Sequence, residues 1–489
     1  MAHMTLEGPV NHFIHGEEAP SSSGGTFVSI DPSTEEGLAE VAMGTAEDVD
    51  RAVASAAATF AAGAWSKANP EYRAAAMRRV GEIIHQRADE IAVLESRDSG
   101  RPIAQALSEI HDAAESFIYY AGHAMAPLGE VYPAERGHFL YSVRVPYGVV
   151  AAIVPWNYPF HIAAHKVAPV LAAGNTMVLK TAEESPLSAM ALARAVADAG
   201  IPPGVLNVVH GDGPVTGAAL VAHPDVPKIT FTGSSATGKL ILRSAADGIK
   251  NVNLELGGKS PNIVFADANM DQAIAGSLFT SFKNSGQICT SGSRLLVQRS
   301  IAEEFTQKLV ARAGRLVVGH PAKPETQMGP LISARQRARV VGYIESGVRA
   351  GAQIALGGEP NESMGYYVNP TIFTDVGPQM QIAQEEIFGP VLSVLTFEDE
   401  EEAIEIANGV MYGLASSIWT QDLGRAFRMA EDIQAGIVWT NCTQYMPVYV
   451  PRRGHKSSGL GEDYGLAAMR EFTMLKTHGL NFGSSSTQW

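Results

Sequence analysis

The pattern of apolar and polar positions changes character near Tyr147. Upstream the chain is Ala-rich, and its apolar residues recur at helical spacing. Asp48 to Phe60 predicts one helix, about Glu71 to Arg97 a second, and about Ile103 to Gly122 a third. Downstream, short apolar runs alternate with helical stretches. GVVAAIVP, NTMVLK, VLNVV, KITF, NVNLEL and NIVF each read as a buried strand, and Ala-rich segments separate many of them. Such alternation implies parallel sheets covered on both faces. The pattern repeats after about Gly257: RLLVQ, a helix near Ala302 to Val317, another near Ala334 to Ala350, then VLSVLTF and SSIW. The expected fold class is therefore α/β, with two such domains. Phe139 to Gly148 alternates and reads as a hairpin arm, and the polar tail SSSTQW as frayed.

Composition narrows the function classes. At about 150 residues per domain, a length of 489 residues suggests about three domains. With 46% hydrophobic and 18% charged residues, sizeable cores are expected and disorder is excluded. A net charge of −15 argues against nucleic acid or an anionic membrane as partner. The only cysteines, Cys289 and Cys442, exclude a disulfide scaffold and a cysteine-cage metal site, and no metal is expected. No apolar run approaches the ~20 residues of a membrane helix. The start shows no signal-peptide pattern, and its Met-Ala-His-Met reads partly as a tag remnant. A cytoplasmic setting is expected.

Candidate chemistry lies in separate segments, each with a plain structural alternative. Cys289, in FKNSGQICTSGSR, is a small buried apolar residue or an exposed nucleophile at a turn, where backbone N–H groups stabilise a thiolate. Glu255 ends an apolar run before Gly257 and Gly258; it is a strand-end ion-pair partner or a site carboxylate. Asn157 sits between the prolines of IVPWNYP, in a simple turn or as an oxyanion donor. FTGSSATGK opens a helix with a Gly-Ser turn able to hold a phosphate, although it is neither GxGxxG nor a P-loop. In EEIFGPV, Glu386 is a solvated acid or a ligand for a ribose diol.

The ordered series PWNYP, VLK-x-x-E, FTGS, LELGGKSP, GQxC and EEIFGPV resembles that of the NAD(P)-dependent aldehyde dehydrogenases, hydrolytic rather than CoA-acylating, from about Ala46 to Phe482. The resemblance implies a Rossmann-like NAD-binding domain (1–127 and 147–257), a catalytic domain (258–457) and a small β oligomerisation element (128–146 and 473–489). It implies a homodimer or homotetramer acting on a small aldehyde. By resemblance Cys289 is the nucleophile, Asn157 with the Cys289 backbone N–H the oxyanion hole, Glu255 the base for hydrolytic water, and Lys166 a support for the asparagine. On the cofactor side it points to Ile153, Trp156, Lys180, Glu183, Gly213, Phe231, Gly233, Ser234, Leu256, Glu386 and Phe388. Lys180 and Glu183 would take the adenosine ribose, Gly213 the adenine side, Ser234 the pyrophosphate, and Glu386 with Phe388 the nicotinamide ribose. A carboxylate at Glu183 favours NAD over NADP. The implied activity is oxidation of an aldehyde to an acid through a Cys289 thiohemiacetal, hydride transfer and thioester hydrolysis.

The implied substrate pocket holds Glu109, Asp112, Tyr158, His165, Lys283, Ile288, Thr290 and Met446. Here the chain departs from the family pattern. His165 replaces a tryptophan and Met446 an aromatic; in the late motif Arg452 and Arg453 are basic where relatives are neutral and Glu462 replaces arginine; in the cofactor loop with Glu183, Thr181 replaces a proline. Glu109 and Asp112 share a helix face and suit an aminoaldehyde. Lys283 suits a carboxylated semialdehyde, and both signals also fit solvated charges. Cys442 reads as a pocket-wall or core thiol. A catalytically silent homologue with a binding or structural role is the alternative of a different class.

Overall fold

The computed structural model describes residues 8–126, 129–359, 361 and 364–483. The Met-Ala-His-Met start, Leu128 at the beginning of the expected arm, and the tail 484–489 lie outside the described residues.

The apolar runs downstream of Tyr147 build two large sheets. In the 8-stranded sheet, Leu206–Val209, Thr176–Lys180, Val149–Ile153, Lys228–Thr232 and Asn251–Glu255 lie side by side in that order and run parallel. Chain order reverses between Val149–Ile153 and Lys228–Thr232, which opens a crevice at the strand C-termini. Antiparallel strands flank this set: His12–Ile14 with Glu17–Ala19 on one side, Gly459–Leu460 on the other. The 7-stranded sheet is ordered Gln353–Leu356, Thr371–Thr374, Val391–Phe397, Arg294–Gln298, Pro261–Val264, Ala415–Trp419, Ile437–Thr440, parallel except for its first strand.

The strands read as continuous apolar runs because both faces are buried. Val150, Ala152, Met177 and Leu179 face one core, and Val149, Ala151 and Val178 the opposite one. Fully burying one such Val or Leu contributes about 1.5–3 kcal/mol. The second sheet repeats this, with Leu296 on one side and Leu295 and Val297 on the other.

The stretch Phe139 to Gly148 does form an arm. His138–Pro146 pairs antiparallel with Gly129–Tyr132 and with Thr473–Asn481 in a separate 3-stranded sheet. Val131, Phe139, Leu475 and Leu480 on it are exposed. Upstream, the expected second helix is two, Pro70–Gln86 and Ala88–Ser99, separated by Arg87 at φ −104, ψ 12. The bend lets Val80 and Ile84, then Ile91 and Ala92, enter one core. The Ala-rich start also contains the pair Thr26–Ile30 and Gly37–Ala42, and the helix from Ala302 stops at Ala313. Among the described residues no helix is long and apolar enough to cross a membrane.

Candidate active site

A cavity of about 590 Å³ is lined by Asn157, Cys289, Thr232, Gly233, Glu386 and Arg452, among others. Three local constructions aim side chains into it.

Asn157 occupies the link from strand Val149–Ile153 to helix Pro159–Ala172, where Pro159 at the first turn has no N–H to lose and a preset φ. The second construction is the loop before strand Arg294–Gln298. Asn284, Ser285 and Gly286 there are consecutively left-handed (φ 48, 57 and 71). A Cβ on Gly286 would lie 2.1 Å from the Gly389 carbonyl oxygen, so glycine is required. Gln287 donates to the Asn284 carbonyl, and its own Oε1 accepts from the Ile332 N–H at 3.0 Å. This pinned loop presents Cys289. It also grips the asparagine turn: Asn157 Nδ2 donates to Gln287 O at 2.9 Å, while Asn284 Nδ2 and Arg101 donate to Asn157 O. An amide nitrogen carries two hydrogens, so one of Asn157 is left for a ligand.

The third construction ends strand Asn251–Glu255. Gly233 N–H donates to Glu255 O at 3.0 Å and Leu256 N–H to Ser458 O at 2.8 Å. At Gly257 an added Cβ would meet the Glu386 carboxylate at 2.4 Å, and Gly258 N–H donates to Glu386 Oε1 at 3.0 Å. The glycines thus admit Glu386 against bare backbone.

Burial dominates the ionisation of these groups. It pushes the Cys289 thiol up to about 11; Arg452 opposes the rise, and Glu255 and Glu386 add to it. Burial also pushes Glu255 up to about 7, opposed by Arg452 and Lys166 and reinforced by Asp463. Glu386 likewise rises to about 7, with the Gly258 N–H, Arg339 and Lys259 opposing. Glu255 itself is 3% exposed and lies behind the wall of the cavity.

The substrate side is rearranged relative to expectation. Tyr158, Ile288, Thr290 and Met446 line the cavity, as do Glu109, Asp112 and Lys283. Of these charges Asp112 is exposed and Lys283 half-buried, whereas Glu109 is withdrawn from solvent. Glu109 is buried between Arg101, which it contacts directly, and Lys283 at 3.2 Å. Burial and Arg101 push Lys283 down to about 8 while Asp112 supports its charge. The acidic and basic signals therefore neutralise one another. His165 is set back: its ring accepts or donates to Ser116 Oγ and packs on Tyr464, and His161 and Ile162 take the wall instead. Its buried position displaces it from the pocket role. Lys166 has partners other than Asn157, donating to Thr230 Oγ1 at 2.8 Å and facing Asp463 at 3.8 Å. Cys442 is exposed, in neither pocket wall nor core.

Of the residues expected on the cofactor side, some line this cavity, and Ile153, Lys180, Glu183, Gly213 and Phe231 lie outside its lining. Trp156, Leu256, Ser234 and Phe388 line it, and Trp156 meets Phe388 edge-on at 5.2 Å. Ser234 caps helix Ser235–Asp247. Phe231 packs beneath Gly233, where a Cβ would strike its ring at 2.4 Å. Ile153 ends its strand beside Lys180. Lys180 Nζ lies 3.3 Å from Glu183 Oε2, and Glu183 Oε1 accepts from Gly213 N–H at 3.0 Å. Gly213 itself has nothing within 4 Å of an added Cβ. A carboxylate and ammonium beside open backbone, a helix N-terminus and a second buried carboxylate form a cradle whose donor set fits a dinucleotide.

Sequence reasoning did not place Arg101, Gln444 or Arg452 in the site. Gln444 accepts from Thr290 Oγ1 at 3.0 Å and donates to Thr290 O at 3.2 Å. The signal available was the basic departure at Arg452 and Arg453, of which only the first turns inward.

Residues 19–478 match the family model described as "Aldehyde dehydrogenase family". The chain is 41% identical over 480 residues to an aldehyde dehydrogenase-like protein of Schizosaccharomyces pombe, covering 98% of this chain and 95% of that one. It superposes on the NAD⁺ complex of a Bacillus cereus aldehyde dehydrogenase with a TM-score of 0.97, at 41% identity and 98% coverage of both chains. A P. syringae indole-3-acetaldehyde dehydrogenase mutant in complex with NAD⁺ and IAA gives 0.95, at 42% identity and 97% coverage of both.

Proposed function

The chain belongs to the aldehyde dehydrogenase family, and from that premise we propose that it oxidises an uncharged aldehyde to its carboxylic acid with NAD, hydrolysing a Cys289 thioester. The observation that carries this reading is the single cavity that places Cys289, Asn157 and Glu386 together, with Glu255 immediately behind its wall.

Cys289 Sγ, once ionised, attacks the aldehyde carbon and forms a tetrahedral adduct. The free amide N–H of Asn157 stabilises the oxyanion; Gln287 and Asn284 hold that amide in place. Collapse of the adduct needs a hydride acceptor, the chemistry a bound nicotinamide supplies. Water then attacks the thioester carbonyl, Glu255 takes the water proton, the C–S bond breaks and the acid leaves. Glu386, Trp156, Phe388 and the Ser234 helix cap would hold the reactive end of the dinucleotide, and Lys180, Glu183 and Gly213 its adenosine. The Glu183 carboxylate favours NAD over NADP by repelling a 2′-phosphate.

The pairing of Glu109 with both Arg101 and Lys283, and the placement of Lys283 opposite the exposed Asp112, support the reading of an uncharged substrate. The 8-stranded sheet would carry the cofactor and the 7-stranded sheet the nucleophile. The exposed apolar residues of the 3-stranded sheet suit assembly as a homodimer or homotetramer. The two free thiols suit a reducing, cytoplasmic setting.

The test is initial rates of reduced-cofactor formation with NAD and NADP across neutral, aromatic, amino- and carboxy-aldehydes, with Cys289→Ala alongside. Turnover with NAD, highest for neutral and aromatic aldehydes and absent in the variant, is expected. No reduction with any aldehyde, in protein shown to bind NAD, would overturn the reading.

A further inference from the structure

Arg452 lines the cavity, and Glu255, which does not, is its ion-pair partner. Arg452 Nε lies 3.5 Å from Glu255 Oε2, and its Nη2 3.8 Å from Asp463 Oδ2. The guanidinium stands 4.4 Å from the centroid of the Tyr464 ring. Its backbone is fixed by reciprocal bonds with Asp463, Arg452 N–H to Asp463 O at 2.8 Å and Asp463 N–H to Arg452 O at 2.9 Å. That bridge turns Arg452 inward and leaves Arg453 exposed. Arg452 Nε and Glu255 Oε1 are nevertheless buried without a hydrogen bond. The pair is held by charge at ion-pair distance, and each partner keeps hydrogen-bonding capacity for a third group.

We propose that Arg452 is a positioning residue that parks the Glu255 carboxylate behind the cavity wall, so that hydrolysis of the Cys289 thioester waits on the opening of this ion pair. The inference rests on the reading of Glu255 as the base of that hydrolysis. Opening costs little in hydrogen bonds, because none is made. It presents Glu255 to a water at the thioester while Arg452 stays held by Asp463 and Tyr464. The carboxylate accepts the water proton, the hydroxide oxygen bonds to the acyl carbon, and the C–S bonding pair returns to Cys289.

The groups facing this pair are few. Glu255 faces Arg452, Asp463 and Lys166; Arg452 faces Tyr464, Glu255, Asp463 and Cys289. His161 and His165 also lie near Arg452, and burial drives both toward the neutral form. Arg452 thus opposes the effect of burial on Glu255, and its loss lets that carboxyl hold its proton to higher pH.

The experiment acylates Cys289 with p-nitrophenyl acetate, without cofactor, and follows decay of the acyl-enzyme by intact-protein mass spectrometry from pH 5.5 to 10. Wild type, Arg452→Met, Arg452→Lys and Glu255→Gln are compared. In Arg452→Met the acid limb of decay is expected to move up by about 1–3 pH units, the range an adjacent opposite charge commands. Above that limb, decay exceeds wild type because no ion pair has to open, and Arg452→Lys returns both the limb and the rate toward their original values; decay no faster than wild type above the limb would overturn the parking role. An unmoved limb, or an equal loss at every pH in both Arg452 variants, would overturn the proposal. If Glu255→Gln leaves decay unchanged, the hydrolytic role of Glu255 falls, a result separable from failure of Arg452 alone.

Discussion

The resting Cys289 thiol provides a quantitative test of the site. Its environment pushes it from 9.0 up to about 11, chiefly by burial, with Arg452 opposing. At pH 8 a thiol at the reference value is about one-tenth ionised and one at 11 about one-thousandth, a difference of about a hundredfold. The more basic thiolate is the better nucleophile, and a Brønsted slope of about 0.4–0.5 returns roughly tenfold of this. Alkylation of Cys289 by iodoacetamide at pH 8 should therefore run about tenfold slower than that of an exposed thiol. Its rate should still be rising at pH 10. The assay uses the Cys442→Ser background, which removes the exposed second thiol, and reads the pH dependence of alkylation by intact mass. A midpoint at or below 9 would refute the argument that burial outweighs Arg452 at the nucleophile.

Asn157→Ala should lower kcat by about 10²–10³ with little change in KM, the cost of one oxyanion donor; a change confined to KM in steady-state kinetics would count against that role. Glu183→Gln should erode the preference for NAD over NADP by about tenfold, because a like charge no longer faces the 2′-phosphate; competition binding of the two cofactors reads this directly, and an unchanged ratio would remove Glu183 from cofactor choice. Glu109→Gln removes the anion between the fully buried Arg101 and Lys283. Breaking such a buried pair costs about 3–5 kcal/mol, so urea unfolding should show a clear fall in midpoint, and a loss below about 1 kcal/mol would mean that solvent already screens the cluster.

The parts of the fold legible in the sequence were those with long-range burial written into local pattern. Strands such as Val149–Ile153 and Thr176–Lys180 are apolar on both faces, and no other element of that length has this signature. The N-terminal strands His12–Ile14 and Glu17–Ala19 are three residues each, too short to show an alternation, and the second is an exposed edge strand. The bend at Arg87 has neither proline nor glycine to announce it. Around the proposed nucleophile, Cys289, Asn157 and Glu255 each stand within three residues of a glycine or proline, because close backbone approach leaves that mark. The second layer leaves none. His161 and His165 are one helical turn apart on the same face, and tertiary partners separate them: His165 turns to Ser116 and Tyr464, while His161 lines the cavity. Arg452 and Arg453 are equivalent in sequence; a bridge to Asp463, formed across a loop, separates them.

Lys283 deserves a view from the standpoint of adaptation. It comes from the loop that presents Cys289, it is 22% exposed, and its ammonium is what keeps Glu109 and Asp112 from dominating the far end of the cavity. Replacing that one side chain with an apolar residue leaves Asp112 without the cation that faces it, and the far end becomes acidic while Cys289, Asn157 and Glu255 are untouched. A pocket whose charges are balanced rather than absent stands one codon away from a different clientele, and a chain that differs at this position alone is expected to favour cationic aldehydes.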